Sequence, residues 1–177
     1  QPPQPNADLP SLDKPFIFVP LQVPGDSQLR LFGGNFKTVE SFVQALVATA
    51  AHLPEGWHLR LKEHPSTPAF VGEMLKDVSA PIYLDNSSDT FAQVAASKGV
   101  MTVNSSVGLE AMFFDKPVVA CGQCYWAIPG MADTAPDTDT IANKLSSAPE
   151  WTFDPNIRNA VLSFLEQVYY PPQVAEN

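Results

Sequence analysis

The stretch "VMTVNSSVGLEAMFFDKPVVACG", residues 100–122, decides the fold. "VMTV" (100–103) is short, apolar and β-branched, which suits a strand buried on both faces. "NSS" (104–106) supplies cap chemistry, because a serine hydroxyl accepts from a backbone N–H of the first helical turn. "VGLEAMFFD" then reads as a helix, and "PVVACG" (117–122) as another buried strand. Strand, capped helix and strand in this order predict two parallel strands joined by a right-handed crossover.

The same alternation runs outward in both directions. Upstream, "FIFVPLQ" (16–22) is a strand, followed by the Gly-, Asp- and Asn-containing stretch "VPGDSQLRLFGGNF", read as a loop. Val39, Phe42, Val43, Leu46, Val47 and Ala50 recur at helical spacing, with Thr38 as the expected N-cap. "WHLRLK" (57–62) is a strand that Pro65 stops; "PAFVGEMLKDV" (68–78) is a helix with Pro68 in its first turn. "PIYL" (81–84) is a strand, and "DTFAQVAASKG" (89–99) a helix closed by Gly99. Downstream, "DTDTIANKLSSA" and "NIRNAVLSFLEQVYY" close the domain as two helices. The expected fold is therefore α/β, a Rossmann-like three-layer domain of about five parallel strands in the order 3-2-1-4-5. Its boundaries are 16–170, with a proline-rich linker or tail over 1–15, which holds five of the 18 prolines, and a C-terminal tail over 171–177.

Composition narrows the function. The chain has 177 residues, 45% of them hydrophobic, enough for one core without staples. Its net charge of −9 and the lack of any Lys/Arg cluster argue against a nucleic-acid partner. An anionic small molecule remains compatible, since helix N-termini bind phosphate through backbone amides. No apolar run approaches the ~20 residues of a membrane span. Without a start Met or a signal-peptide pattern, the chain reads as a piece of a longer or processed protein. "CGQC" (121–124) superficially matches a redox pair, but "YWAIPG" follows it where a helix would be needed. Two cysteines and three scattered histidines make structural zinc improbable.

An open α/β sheet binds ligands beyond its strand ends, where strand order reverses. In this order the reversal lies between the first and fourth strands, so the loops beginning "QVPGDSQ" and "NSSVG" meet there, with "EHPST" beside them. In "NSSVGLE", Asn104, Ser105 and Ser106 precede the helix, and Gly108 is expected to let a ligand approach the backbone. Helix dipole and hydroxyls then form a phosphate seat, against the plainer alternative of a serine cap without ligand. Glu110 lies too far from the cap for a capping box, so it is either a ribose acceptor or a solvated glutamate. His64 can donate to a phosphate or protonate a leaving phosphate, or simply sit in a loop turned by Pro65. Gln22, Asp26, Ser27 and Gln28 can hold sugar hydroxyls, with Asp26 able to act as nucleophile or base; the alternative is an Asx-type turn at Gly25-Asp26. Tyr125 and Trp126 could stack on a base or sugar, or could just pack. Neither GxGxxG nor GK[ST] is present.

Together, "VPLQVPGDSQ", "LKEHP", "VNSSVGLEAMFFDKPVVACG" and "YWAIPG" resemble the capsule polysaccharide biosynthesis family, the Kps/Lip-type Kdo transferases of bacterial capsule linkers. The resemblance spans residues 16 to 130, and the ordering of the motifs is more specific than any one of them. It implies one half of a GT-B glycosyltransferase, the C-terminal donor-binding half, with CMP-Kdo as the nucleotide-sugar donor and no metal or other cofactor. It gives His64 and Pro65, then Ser105 and Ser106, to the CMP phosphate, and Glu110 to the ribose. It further implies a retaining reaction with Asp26 as nucleophile, and a glycolipid or polysaccharide acceptor held by an N-terminal half outside this chain. The expected place is the cytoplasm, peripheral to the inner face of the bacterial inner membrane. Another nucleotide sugar, or a binding module without turnover, are the alternatives.

Overall fold

The computed structural model describes residues 8–66 and 70–169. Six parallel strands form one sheet in the order β3-β2-β1-β4-β5-β6. They are β1 (Phe16–Pro20), β2 (His58–Lys62), β3 (Ile82–Leu84), β4 (Gly99–Thr102), β5 (Val118–Ala120) and β6 (Asp133–Thr134). The helices are α1 (Ser27–Phe32), α2 (Val39–Thr49), α3 (Val71–Leu75), α4 (Thr90–Ala96), α5 (Ser106–Met112), α6 (Thr138–Ser146) and α7 (Pro155–Tyr169).

Strand alternation divides the core into two layers. Ile17, Val19, Leu59, Leu61, Met101 and Val119 face one side, where they meet Val43 and Leu46 of α2 and Ile141 of α6. Phe16, Phe18, Val100, Val118 and Ala120 face the other, against Val94 of α4, Ala111 and Met112 of α5, and Trp126. Every residue of β1 is buried, as a central strand covered on both faces requires. Caps fix the helix starts: the Thr38 side chain accepts from Ser41 N, and Asp137 and Thr140 form a reciprocal capping box on α6. Arg158 anchors α7 by donating to the Lys116 and Met131 carbonyls.

Several expectations are corrected. The segment after β1, read as a loop, contains α1; with six residues and Leu29 as its buried one, it is too short for apolar periodicity to show. A sixth strand, β6, lies beyond β5 and is only two exposed residues long, so it has no apolar signature. Gly99 opens β4 instead of closing the preceding helix, which ends at Ala96. A Cβ there would lie 2.7 Å from the Trp151 ring, so packing is what demands glycine. The helix placed at 68–78 spans only Val71–Leu75, and Pro68 lies outside the described residues. The C-terminal tail and residues 1–7 of the expected linker also lie outside them. Nearer the sheet, the Pro10 carbonyl accepts a 2.6 Å bond from Arg60.

That arginine belongs to a buried polar cluster. Its Nη2 meets Asp85 Oδ2 at 2.7 Å, with side-chain exposures of 3% and 0%. Burial alone would raise the Asp85 carboxyl, but bonds from Ser88 and the Arg60 charge outweigh it and bring it to about 2. His58 stacks on Phe16 with 5.2 Å between ring centroids and meets Tyr83 edge-on. Burial first, and the Arg60 cation second, push His58 down to about 4.

These two groups contribute to the acid limb of stability. Between pH 6.5 and about 4 the unfolded chain protonates a histidine that the folded chain keeps neutral, so stability falls as pH falls through that window. Between about 4 and 2 the unfolded Asp85 takes its proton first, and stability falls further. Urea unfolding across this range should show both slopes. His58→Phe, which preserves the ring contacts, should flatten the upper window and leave the lower one in place.

Candidate functional site

The strand order reverses between β1 and β4, and a cleft of about 800 Å³ opens there beyond the strand ends. Its floor is built by two side-chain amides. Gln22, just past β1, donates from Nε2 to Asn104 Oδ1 at 2.8 Å, across the reversal. Asn104 Nδ2 donates to the Gln28 carbonyl at 3.0 Å and to the Gln123 carbonyl at 3.4 Å. The loops after β1, β4 and β5 are thereby tied at one point. The Gln123 amide adds a 2.7 Å bond to the Phe32 carbonyl at the end of α1.

Around this floor the reactive groups are individually placed. The Asp26 carboxylate caps α1 by accepting from Gln28 N at 2.9 Å, and its other oxygen receives Gln22 Nε2 at 3.4 Å. Ser105 caps α5 through a 3.2 Å bond from Val107 N. Ser106, the first residue of α5, is exposed to the cleft, and its hydroxyl has no partner among the described residues. His64 follows β2, where the Ser66 backbone N–H donates to its Nδ1 at 3.3 Å and the Ser66 hydroxyl lies 2.7 Å from the same atom. Because an N–H can only donate, Nδ1 is an acceptor and the proton sits on Nε2, leaving that nitrogen as a donor. Glu63 clasps the His64 loop: its carboxylate accepts from Phe70 N, Val71 N and Asn86 Nδ2, and its own N–H donates to Asn86 Oδ1.

Of the residues expected to form the site, Gln22, Asp26, Gln28, His64, Pro65, Asn104, Ser105 and Ser106 line this one cleft. Ser27, Gly108 and Glu110 do not line it. The expectation for Gly108 is corrected: it is buried, and a Cβ would lie 2.6 Å from the Trp126 ring, so it admits an indole and not a ligand. Trp126, 2% exposed, is core; Tyr125, 66% exposed, lines the cleft mouth. Gln22 and Asn104, expected to contact ligand, spend their amides on tying the loops. Glu110 sits half-buried one turn into α5. Sequence reasoning missed Lys62, Thr90 and Gln123, which also line the cleft. Lys62 was legible in principle, since it ends the same strand that delivers His64.

The cysteines lack the lowered thiol that a reactive redox pair requires. Both are free thiols; burial pushes Cys124 up to about 11 and Cys121 higher still, so neither is a thiolate near neutrality. Among the described residues no group of three or more His, Cys, Asp or Glu could hold a metal ion, and no helix is long and apolar enough to cross a membrane.

The family model described as "Capsule polysaccharide biosynthesis protein" matches residues 6–165. Protein FixF of Sinorhizobium fredii is 28% identical over 87% of this chain and 38% of its own length. The capsule polysaccharide modification protein LipB of Neisseria meningitidis is 30% identical over 67% of this chain and 30% of its own. The chain thus spans about a third of the length of these curated relatives. Among solved structures, the KpsC beta Kdo 2,7 transferase of Thermosulfurimonas dismutans matches with a TM-score of 0.55 and 25% identity, over 71% of this chain and 40% of that one. The spinosyn rhamnosyltransferase SpnG, at 12% identity and a TM-score of 0.56, and the lipopolysaccharide outer core galactosyltransferase WaaB, at 14% and 0.54, share the fold alone.

The tight fit at α5 has a direct consequence. Gly108→Ala should force the helix off Trp126 and cost about 1–3 kcal/mol, as overpacking of a filled core does. A lower urea midpoint with an unchanged m-value is the expected result.

Proposed function

The chain belongs to the capsule polysaccharide biosynthesis protein family, and from that premise we propose that it is the donor-binding half of a Kdo glycosyltransferase that takes CMP-Kdo. The observation that carries this reading is the convergence of His64, Ser106 and Asp26 on one cleft of about 800 Å³ at the sheet reversal. The likeness to a KpsC beta Kdo 2,7 transferase supports the choice of sugar, and the kinship to LipB supports a place in capsule polysaccharide modification.

In this reading the donor phosphate rests at the start of α5, against the free Ser106 hydroxyl, while Ser105 holds that turn in place. The His64 Nε2–H donates to the phosphate as it leaves, so neutral donors offset the developing charge without a metal. Asp26 faces the anomeric carbon. Its carboxylate attacks there as the bond to phosphate breaks and CMP departs; an acceptor hydroxyl, giving its proton to a base of the acceptor half, then displaces the Asp26 carboxylate, so that two inversions give net retention. The two bonds that Asp26 accepts hold its carboxylate in one orientation for this attack. The assignment of the ribose to Glu110 requires the donor to extend over the second turn of α5. A glycolipid or polysaccharide acceptor would be held by an N-terminal half of the parent protein.

Calorimetric titration with CMP, UDP and GDP tests the nucleotide. CMP should bind best, and His64→Ala or Ser106→Ala should each weaken it about tenfold, roughly 1.4 kcal/mol, with unchanged thermal unfolding. Preference for UDP or GDP would assign a different nucleotide sugar. Unchanged affinity in both variants would leave a plain cap and a plain loop.

Asp26→Asn separates the two jobs of that residue. Asparagine caps a helix as well as aspartate does, so folding and CMP binding should persist. Transfer to acceptor, measured with the acceptor half present, should be lost; retained transfer would remove Asp26 as nucleophile.

A further inference from the structure

Lys62 lies in the cleft, and the roles above leave it unused. It ends β2, in register with Pro20 of β1, and its half-buried stem carries the ammonium to the Ser88 carbonyl just ahead of α4. Helix α4 packs over β1, the strand between β2 and β4. The ammonium is held between the end of β3 and the start of α4, in the wall of the cleft that Thr90 and Ser106 also line. One of its three N–H donors goes to Ser88, which leaves two for a ligand.

Charge makes this residue matter. The protein carries a net −9, and among the described residues Lys62 is the one lysine or arginine lining the cleft. Of the two acidic side chains there, Glu63 is 6% exposed and committed to the loop clasp. The groups assigned to phosphate are neutral hydroxyl and imidazole donors. A cytidine monophosphate linked to a neutral sugar brings one anionic group, the bridging phosphate, which those donors can take. A cytidine monophosphate linked to a 2-ulosonic acid such as Kdo brings a second, a carboxylate on the same anomeric carbon that bears the phosphate. The ends of β2 and β4 are two strand spacings apart, roughly 10 Å, a gap that a lysine's flexible four-carbon stem can bridge toward a carboxylate beside the phosphate.

We propose that Lys62 is the specificity-determining residue of this cleft, its ammonium receiving the carboxylate of an acidic sugar and so selecting sugar-acid donors over neutral ones. This rests on the donor-binding reading, and the test keeps the two apart. The 177-residue chain is titrated with CMP, with CMP-Kdo, and with CMP-Kdo whose carboxylate is converted to a carboxamide. The native protein should bind CMP-Kdo at least tenfold tighter than the carboxamide. Lys62→Met, which keeps the apolar stem, should bind the two equally and leave CMP affinity within about twofold; Lys62→Arg should restore the preference. If native protein binds CMP but shows no preference for the carboxylate, or if Lys62→Met keeps that preference, the Lys62 assignment falls and the nucleotide reading stands. An equal loss for CMP and CMP-Kdo in Lys62→Met would make it a phosphate contact and also overturn the proposal. Should Lys62→Met fail to fold, the native and Lys62→Arg preferences decide. No binding of CMP or CMP-Kdo by the native chain would overturn both readings.

Discussion

The bond from Gln22 to Asn104 spans the one place where a parallel α/β sheet pulls itself apart. At the reversal, the chain leaving β1 and the chain leaving β4 depart toward opposite faces, and a crevice opens between them. A crevice is useful only if its walls stay in register. Here two side-chain amides hold it: Gln22 reaches across, and Asn104 extends the tie to the Gln28 and Gln123 carbonyls. Asp26, α1 and the start of α5 are all positioned relative to that knot. Residues that read as ligand contacts in the sequence are thus the frame on which the contacts are mounted.

The charges of the domain follow a division of labour. One pair far from the cleft, Arg60 and Asp85, is buried, and its separation would leave a desolvated charge in the core. Glu63 is buried too, yet its bonds are to backbone N–H groups at the start of α3, and its effect is to close the loop that carries His64. The cleft is left with neutral donors, one carboxylate and one ammonium. Such a lining suits an anion recognised by geometry, in a protein too acidic to attract one by bulk charge.

Much of this was legible in the sequence because the strands are apolar throughout. "FIFVP", "HLRLK" and "VMTV" are each flanked by helix or turn signals, and their alternation with helices fixed the order of the five longer strands. The cap serine and the histidine before Pro65 were legible for a similar reason: each sits at a strand end, where topology alone puts it at the crevice. What stayed hidden depends on contacts distant along the chain. Gly108 reads as a ligand approach until Trp126, 18 residues on, is seen filling the space. Asn104 reads as a ligand contact until the Gln28 carbonyl, 76 residues before it, is found accepting a hydrogen bond from its amide. Helix α1 and strand β6 bury too little to leave a pattern, and a lysine ending a strand carries no mark in the sequence of the cleft it lines.

The convergence of three crossover loops on one nucleotide is tested most directly by ¹⁵N chemical-shift mapping of the chain titrated with CMP. The amides of Ser105, Ser106 and Val107, of His64 and of the non-proline residues in 22–28 should shift together along one saturating curve. Shifts confined to the separate groove at Asn35, Gln44 and Asp137, with residues 105–107 unmoved, would contradict it.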